Sequence, residues 1–300
     1  MTNKPKQDET LSLDLNNAEF QDVKNLIDNT GSSVFMTGRA GTGKSTFLRH
    51  IVRNSHKKCV VLAPTGIAAV NAGGVTLHSF FRIPLHPIAP DDVNFSSPTR
   101  IKERQKYTKE HIKLLKNIEL IIIDEISMVR ADILDFIDKI LRTYTNPRLP
   151  FGGKQLFLVG DAFQLEPVVK ADEWDILRHF YSSPYFFGAN VFKEITLVQI
   201  ELKKVYRQHE VEFLSLLDRI RVCQANQTDL NTINSRYVPN MQFNDNDMAI
   251  TLCTLRAKAD NINEDRLERI PCEPTTFYGT INGDFPDSSL PTNLELQLKP

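Results

Sequence analysis

Residues 34–45 read VFMTGRAGTGKS, and they restrict the possible folds more than any other part of the sequence. The apolar run at 34–37 predicts a buried strand, and the pattern Gly-x-x-x-x-Gly-Lys-Ser follows it at 38–45. Glycines let such a turn wrap closely around phosphates, and the N–H groups at the start of the next helix point at them. A glycine-rich turn that merely caps a helix is the alternative. The strand before the turn and the helix after it favour a P-loop, which binds nucleotides.

The side chains of this turn predict how it would bind ATP and Mg²⁺. Lys44 supplies a positive charge to the β- and γ-phosphates, and Ser45 offers its hydroxyl to the metal ion. The nucleotide contacts that we predict in the turn are Gly38, Ala40, Gly41, Thr42, Gly43, Lys44, Ser45 and Thr46.

Two further strands end in polar residues that suit the same chemistry. The strand predicted at 120–124 ends in Asp124 and is followed by Glu125, and in a parallel sheet such residues lie at the edge where ligands bind. Asp124 can hold Mg²⁺, directly or through water, and Glu125 can polarise the attacking water. Gln164 follows the strand predicted at 155–160 and can reach a γ-phosphate. Adjacent acids and a solitary Gln also occur in ordinary solvated loops, so these assignments depend on the P-loop.

The apolar pattern along the chain predicts an α/β domain. A helix is expected at 18–28, and a second helix with an apolar stripe lies between the third and fourth strands. The strands have the near-continuous apolar character of strands covered on both faces, as in a parallel sheet. Strands that alternate with helices are typical of a doubly wound fold. We predict the strands at 34–37, 59–63, 120–124, 155–160 and 196–200.

Two segments depart from that alternation. Residues 82–108 contain several prolines and no sustained period, which predicts a loop-rich insertion (about 82–117) outside the core. Towards the end of the chain the pattern restarts, with helices predicted at 210–223, 228–236 and 257–270 and a strand at 249–253. We therefore divide the chain into a flexible segment at 1–16, a first domain at 17–200, and the start of a second, incomplete domain at 201–300.

Composition limits the kinds of partner. The formal charge of −1 excludes a histone-like mode in which the whole surface holds a nucleic-acid backbone. The composition still allows nucleic acid to bind in a local groove. Residues 100–116, which we call the basic segment, contain seven Lys or Arg residues and two Glu. A solvated helix face and a strand-binding surface both explain this segment. Its basic residues are Arg100, Lys102, Arg104, Lys106, Lys109, Lys113 and Lys116.

Cysteine spacing and the N-terminus predict an intracellular protein. Cys59, Cys223, Cys253 and Cys272 form no C-x-x-C pair, which argues against a zinc site and against a disulfide framework. The first ten residues resemble neither a signal peptide nor a transit peptide, and no apolar run approaches membrane-spanning length. We expect a cytoplasmic or nuclear protein without a membrane anchor.

Seven motifs in a fixed order resemble the Pif family of superfamily 1 DNA helicases. The resemblance runs from about Gln21 to about Ile270. The combination of TGIAA, TLHSF, DEISM and GDxxQLxPV is not shared by P-loop ATPases in general. In chain order the motifs are Gln21, GRAGTGKS (38–45), APTGIAA (63–69), GVTLHSF (74–80), DEISMV (124–129), PFGGKQLFLVGDAFQLEPV (150–168) and VYRQ (205–208).

The resemblance implies a RecA-like P-loop NTPase domain followed by part of a second one, and it gives roles to residues that otherwise look like surface positions. Gln21 corresponds to the residue that reads adenine through its amide, and Arg207 to an arginine finger at the γ-phosphate. Lys44, Glu125, Gln164 and Arg207 then form the catalytic set. The positions that match contacts to single-stranded DNA are Pro64, Thr65, Gly66, Thr76, His78 and Ser79. A lone His is often structural, so His78 keeps both interpretations.

The activity implied is ATP- and Mg²⁺-dependent movement from 5′ to 3′ on single-stranded DNA by a monomer. Single-stranded and forked duplex DNA are the implied partners, with G-quadruplexes and RNA–DNA hybrids as further substrates. The family's last motifs would lie beyond Pro300, so this chain alone should bind ATP weakly or hydrolyse it poorly. One alternative is an ATP-gated single-strand binder. Another is a P-loop enzyme that does not use DNA, such as a kinase or a GTPase; the sequence has no N-K-x-D guanine motif, and Glu125 beside Asp124 favours water as the nucleophile.

Overall fold

The computed structural model describes residue 14 and residues 16–206, 211–239, 241, 249–281 and 293–299. The chain divides into two compact units, one spanning residues 1–231 and the other residues 232–300. All seven motifs quoted above fall in the first unit.

The first unit is built on a six-stranded sheet in which every neighbouring pair of strands runs parallel. In chain order the strands are β1 (Ser33–Gly38), β2 (Cys59–Ala63), β3 (Val75–Thr76), β4 (Leu120–Ile123), β5 (Gln155–Val159) and β6 (Leu197–Leu202). The spatial order β3-β2-β4-β5-β1-β6 confirms the predicted doubly wound α/β fold. Because β1 lies beside β5, and β5 beside β4, the three strands that precede the predicted catalytic residues are neighbours.

Helices connect the strands, and those predicted from apolar stripes lie within a few residues of their expected positions. α1 begins where Asn17 accepts the N–H of Phe20 at 3.0 Å, which caps the helix. α7 carries the predicted apolar stripe, buried along its length. The helices are α1 (Ala18–Asn29), α2 (Lys44–Asn54), α3 (Gly66–Ala72), α4 (Leu77–Phe81), α5 (Pro98–Gln105), α6 (Lys109–Asn117), α7 (Ala131–Tyr144), α8 (Ala171–Leu177), α9 (Val211–Arg221), α10 (Gln227–Asn234) and α11 (Arg256–Arg269).

Apolar residues on opposite faces of the sheet form two cores. Val34 and Met36 of β1 pack with buried residues of α1 and α2, whereas Phe35 between them packs into a larger core that includes α7. A strand covered on both faces produces this alternation. Burying each such side chain stabilises the fold by about 1.5–3 kcal/mol, so the sheet is a rigid base for the residues at its edge.

The segment at 82–117 corrects one expectation. We predicted a loop-rich insertion outside the core, but Ile83, Ile88, Phe95 and Ile101 are all buried in the larger core. The segment also forms α5 and α6, each capped at its N-terminus by a hydroxyl side chain. Prolines and short irregular stretches erase the periodic signal in the sequence, while tertiary packing still buries single apolar side chains.

The second unit is small among the described residues. The strand predicted at 249–253 was wrong: these residues form no strand in the structure. The strands found are β7 (Thr275–Tyr278) and β8 (Glu295–Leu298), which pair antiparallel, with Thr275 opposite Leu298. The interpretation of 201–300 as the start of a second RecA-like domain stays a prediction. Within the described ranges, no helix is long and apolar enough to cross a bilayer.

Candidate nucleotide and DNA site

Three parallel strands deliver the predicted catalytic residues to one edge of the sheet. β1 runs into the P-loop, β4 into Asp124 and Glu125, and β5 into Gly160 and Asp161. Parallel neighbours end at the same edge, and ligands of doubly wound sheets bind there. The fold therefore brings together residues that lie more than a hundred positions apart in the chain.

The P-loop is held around its own lysine. The Lys44 ammonium donates to the carbonyl oxygens of Gly38 at 2.6 Å and Arg39 at 3.0 Å. Gly41 and Gly43 have φ of 80° and 88°, values that favour glycine. Burial lowers the pKa of Lys44, and the nearby carboxylates of Asp161, Glu125 and Asp124 oppose that shift. The ammonium is thus a partly desolvated charge aimed into the loop, ready to exchange carbonyl partners for phosphate oxygens.

The other residues predicted in the loop divide into structural and accessible groups. Thr42 is buried, and its hydroxyl donates to the Arg39 carbonyl at 2.9 Å, so its side chain stabilises the loop. Gly38 approaches β6 so closely that a Cβ would lie 2.8 Å from the Leu202 carbonyl oxygen. Ala40 and Ser45 are exposed at the mouth of the loop, and Thr46 is half-buried in the first turn of α2.

The paired acids after β4 differ in environment. Burial, together with the adjacent Glu125 carboxylate, raises the pKa of Asp124 to about 6. Asp124 Oδ1 accepts the N–H of Glu125 at 3.0 Å. Glu125 itself has φ of 51° and ψ of 44°, a left-handed conformation that costs a non-glycine residue on the order of 1–3 kcal/mol. Strain of this kind persists where the surrounding structure fixes a side chain for a task.

The raised pKa of Asp124 predicts a stability change in the Asp124→Asn variant. Above pH 6 the folded chain must hold a charged Asp124 that the unfolded chain would ionise freely. Below pH 3.8 both states are protonated and the penalty disappears. Removing the charge should therefore stabilise the metal-free protein by about 1–3 kcal/mol at pH 8, with the gain shrinking towards pH 4.

Thermal or denaturant unfolding in EDTA measures this effect. Asp91→Asn changes an exposed carboxylate and should alter the free energy of unfolding by less than about 0.5 kcal/mol at either pH. An Asp124→Asn gain that is equal at pH 4 and pH 8 would contradict the proposed cause.

A magnesium ion would fit this edge only together with a nucleotide. No group of three His, Cys, Asp or Glu side chains in the described parts of the chain could hold a metal ion. Asp124, which follows β4, and Ser45, in the first turn of α2, are oxygen donors at this edge of the sheet. Mg²⁺ commonly takes one or two such protein oxygens and completes its shell with phosphates and water. The donor set suits that arrangement.

Asp161 and Arg221 form an ion pair that the sequence did not reveal. The Arg221 guanidinium donates to both carboxylate oxygens of Asp161, with Nη2 at 2.9 Å from Oδ1 and Nε at 3.0 Å from Oδ2. Burial would raise the pKa of Asp161, but the bonds from Arg221 and from the N–H of Phe163 hold it below its usual range. Gln164 Nε2 also donates to Asp161, at 3.1 Å. The pair thereby fixes the loop that carries the predicted catalytic Gln164.

Arg221 is absent from the sequence-based set because nothing local marks it. It lies 60 residues from Asp161, in α9, and its guanidinium also stacks over the Phe163 ring at 4.6 Å. Asp161 stood in the quoted GDAFQ motif, but its spacing alone gave it no role. Arg207 lies outside the described residues, so its predicted contact with the γ-phosphate stays a prediction.

One side of the P-loop carries a stack of aromatic rings. Phe20 stacks on Phe47 of α2 at 4.4 Å and lies 6.4 Å from Tyr206, nearly parallel to both. The N–H of Tyr206 donates to the Gly41 carbonyl at 2.8 Å, which ties this stack to the loop. Gln21 follows Phe20 on α1 and is exposed. The predicted adenine-reading residue is therefore held close to the loop through its neighbour, and Tyr206 is an aromatic surface that the motif analysis did not single out.

The predicted DNA-contact residues lie just before α3 and α4 or in the first turns of these helices. The hydroxyl oxygens of Thr65 and Thr76 accept the N–H groups of Ala68 and Ser79, at 3.3 and 3.2 Å, and so cap the two helices. Each hydroxyl keeps its own hydrogen for a phosphate oxygen. Pro64, Thr65 and His78 line a cleft of about 240 Å³. Gly66 and Ser79 are exposed beside it.

His78 has an environment that keeps it neutral. Burial lowers the pKa of its imidazole, and the Arg130 guanidinium in the same cleft lowers it further. Arg130 is held by Asp132 at 2.7 Å and by Glu173 at 3.3 Å. A neutral imidazole stacks or makes ordinary hydrogen bonds and does not form an ion pair with phosphate. The helix that follows the paired acids, α7, is buried along most of its length, and Arg130, just before it, adds a positive charge to the cleft.

The sheet order, the P-loop at the end of β1 and the acids after β4 define a RecA-like P-loop NTPase domain. The model of the PIF1-like helicase family matches residues 14–231, so the chain belongs to the PIF1-like helicase family. The resemblance found in the motifs is thereby confirmed.

Similar proteins agree in sequence and in structure. The ATP-dependent DNA helicase PIF1 of Emericella nidulans is 34% identical over 274 residues, which is 88% of this chain and 34% of that protein. The ATP-dependent DNA helicase Pif1 of Campylobacter jejuni is 33% identical over 254 residues, 83% of this chain and 54% of that protein. A crystal structure of Bacteroides Pif1 bound to ssDNA is 42% identical with a TM-score of 0.83, and it covers 94% of this chain and 63% of the Bacteroides chain. The chain thus spans about a third to a half of these two curated relatives.

Proposed function

We propose that this chain is the nucleotide-binding part of an ATP-driven DNA helicase that moves from 5′ to 3′ on single-stranded DNA. The observation that supports this most is the shared sheet edge. Lys44 and the acids after β4 and β5 lie at the same edge of the sheet as Pro64 and Thr65, which follow β2. Hydrolysis or release of the nucleotide can therefore change the contacts to single-stranded DNA, because one rigid sheet carries both sets of residues.

The residues divide the work of hydrolysis among them. Lys44 holds the β- and γ-phosphates, while Ser45 and Asp124 would hold Mg²⁺, which would neutralise charge on the phosphates. Glu125 takes a proton from the attacking water. Gln164, held by the Asp161–Arg221 pair, senses the γ-phosphate, and Gln21 reads adenine. Arg207 supplies the arginine finger.

Relatives and neighbours support the choice of substrate. One neighbour, 43% identical with a TM-score of 0.82, concerns DNA unwinding at forked dsDNA by two coordinating Pif1 helicases. Another is a Bacteroides Pif1 in complex with ADP-AlF3 and ssDNA. We carry over single-stranded and forked duplex DNA as partners, with G-quadruplexes and RNA–DNA hybrids as further substrates to test. We also propose a monomer in solution.

The test is ATP hydrolysis by the complete protein with and without single-stranded DNA, followed by unwinding of duplexes with a 5′ or a 3′ tail. We expect stimulation by the oligonucleotide and unwinding from the 5′ tail. Stimulation without unwinding would favour the ATP-gated single-strand binder. Hydrolysis that ignores DNA would reject the proposed function.

The environment of His78 predicts how single-stranded DNA binding responds to mutation and salt. His78→Ala should weaken binding about tenfold, the size of one base-stacking interaction. Because the imidazole is neutral, the salt dependence should not change. We expect a shallow wild-type slope, about 0.7 per phosphate neutralised.

Fluorescence anisotropy with a labelled oligonucleotide across a salt series measures both quantities. His56→Ala is a matched control, since His56 is exposed between α2 and β2, at the opposite edge of the sheet. A wild-type affinity that is independent of salt, or a slope that falls in His78→Ala, would contradict this assignment.

A further inference from the structure

The basic segment concentrates positive charge on a chain that is otherwise acidic. Its seven basic and two acidic residues give it a net charge of +5, while the whole chain has −1, so the remainder carries −6. All seven basic side chains are exposed. In the part of the chain that the structure describes, none of them forms an ion pair with a carboxylate. An ordinary solvated helix face pairs such charges at i,i+4 spacing, whereas this one leaves a local positive potential.

The basic side chains of this segment lie mainly on α5 and α6, two helices that are packed against the core. Lys109, Lys113 and Lys116 are spaced i, i+4 and i+7 on α6 and so share one face, while Leu115 is buried on another side of the helix. α5 ends at Gln105, and Lys106, which follows it, precedes the buried Tyr107. The segment is therefore a fixed surface.

Two contacts fasten this surface to the helix that bears His78 and Ser79. Arg82, directly after α4, donates to the carbonyl oxygens of Gln105 at 3.0 Å and Lys106 at 3.2 Å. From α6, the His111 ring lies 5.2 Å from the Phe80 ring of α4. The basic surface thus continues from the proposed single-strand contacts.

We propose that the basic segment binds the phosphate backbone of duplex DNA. Single-strand sites combine cations with aromatic side chains on which bases stack, whereas duplex backbones are held by cations alone. Here Phe95 and Tyr107 are buried, and His111 stacks on Tyr107 at 4.5 Å within the fold. The face offers charge and no stacking surface among its described residues. This inference rests on the proposed function, in which a duplex lies ahead of the strand held at α4.

The test compares two triple variants of this chain that lose the same charge. Lys109→Gln/Lys113→Gln/Lys116→Gln removes the α6 face. Arg53→Gln/Lys58→Gln/Lys193→Gln removes three exposed cations elsewhere. Binding of a blunt 20-base-pair duplex and of a single-stranded oligonucleotide is measured over a salt series.

We expect the α6 variant to bind the duplex at least tenfold more weakly near 0.1 M salt, with the slope flatter by about 0.9 for each phosphate that the variant no longer neutralises. Its affinity for the single strand should stay within twofold, and the control variant should bind both as the wild type does. An unchanged duplex affinity, or an equal loss for both ligands, would overturn the proposal.

Two further readouts keep the outcome unambiguous. Gln is as good a helix former as Lys, so the variant should melt like the wild type. If it does not, Arg100→Gln/Lys102→Gln on α5 tests the same surface. ATP hydrolysis stimulated by single-stranded DNA reports on the proposed function separately. Its absence in the complete wild-type protein would reject the helicase assignment, while duplex binding would still decide the role of the basic segment.

Discussion

Lys44→Ala should reduce ATP hydrolysis stimulated by single-stranded DNA by about a thousandfold or more in the complete protein. The lysine ammonium lies within the glycine turn, where it donates to the carbonyl oxygens of Gly38 and Arg39, and phosphate oxygens would replace these partners. Without its charge, the phosphates of bound ATP and the charge that develops during hydrolysis have no counterpart at this position. Nucleotide affinity should fall together with turnover.

The control and the stability readout separate this effect from a folding defect. Lys58→Ala removes an exposed lysine just before β2, at the opposite edge of the sheet, and should leave hydrolysis unchanged. Lys44 is partly desolvated and its pKa is lowered by burial, so its removal should not lower the melting temperature of the nucleotide-free protein. Turnover near that of the wild type in Lys44→Ala would reject the assigned site.

The sequence was sufficient for five of the six strands of the sheet, all except the short β3, and for the residues at their ends. A buried strand leading into a glycine turn, and another leading into paired acids, place Lys44 and Asp124 without any tertiary information, because parallel neighbours share an edge. β2 and β5 were predicted in the same way, from an apolar run that leads into a motif. The helices α1 and α7 followed from their apolar stripes, since period 3.6 survives in the sequence wherever a helix buries a single face.

Features that depend on packing between distant parts of the chain could not be predicted from the sequence. The pairing of Arg221 with Asp161 joins α9 to the loop after β5, and arginines in amphipathic helices are usually solvated. The buried residues of 82–117 come mainly from stretches without a period, so only the packed structure shows that they belong to the core. The left-handed backbone at Glu125 was also not predictable, because no glycine at or beside this position indicates it in the sequence.

The Asp161–Arg221 pair also changes how the catalytic loop should be understood. Asp161 is fully buried at its side chain, and Gln164 is bonded to it. A carboxylate in this position would repel phosphates unless a cation neutralised it. Arg221 supplies that cation from α9, so the loop can present Gln164 towards a triphosphate without adding net negative charge. The predicted catalytic glutamine thus depends on a residue that no motif contains.

Glu125→Gln should lower the rate of hydrolysis by about 10²–10⁴-fold while ATP affinity stays within a few-fold of the wild type. Gln keeps the size and the hydrogen-bonding shape of the side chain but cannot take a proton from water. The left-handed backbone at this position points to a side chain held for a task, and the variant leaves untouched Lys44 and Asp124, which we propose as the phosphate and metal ligands. Loss of turnover with retained binding would distinguish a general base from a nucleotide ligand.

A matched control for this variant lies at the other end of β4. Glu119 flanks β4 at its start, as Asp124 and Glu125 do at its end, and it accepts the N–H of Lys58 at 3.0 Å. Glu119→Gln should leave hydrolysis unchanged. Single-turnover hydrolysis and equilibrium binding of labelled ATP measure the two quantities separately. If Glu125→Gln turned over ATP like the wild type, or lost ATP binding as Lys44→Ala should, another group would have to activate the water.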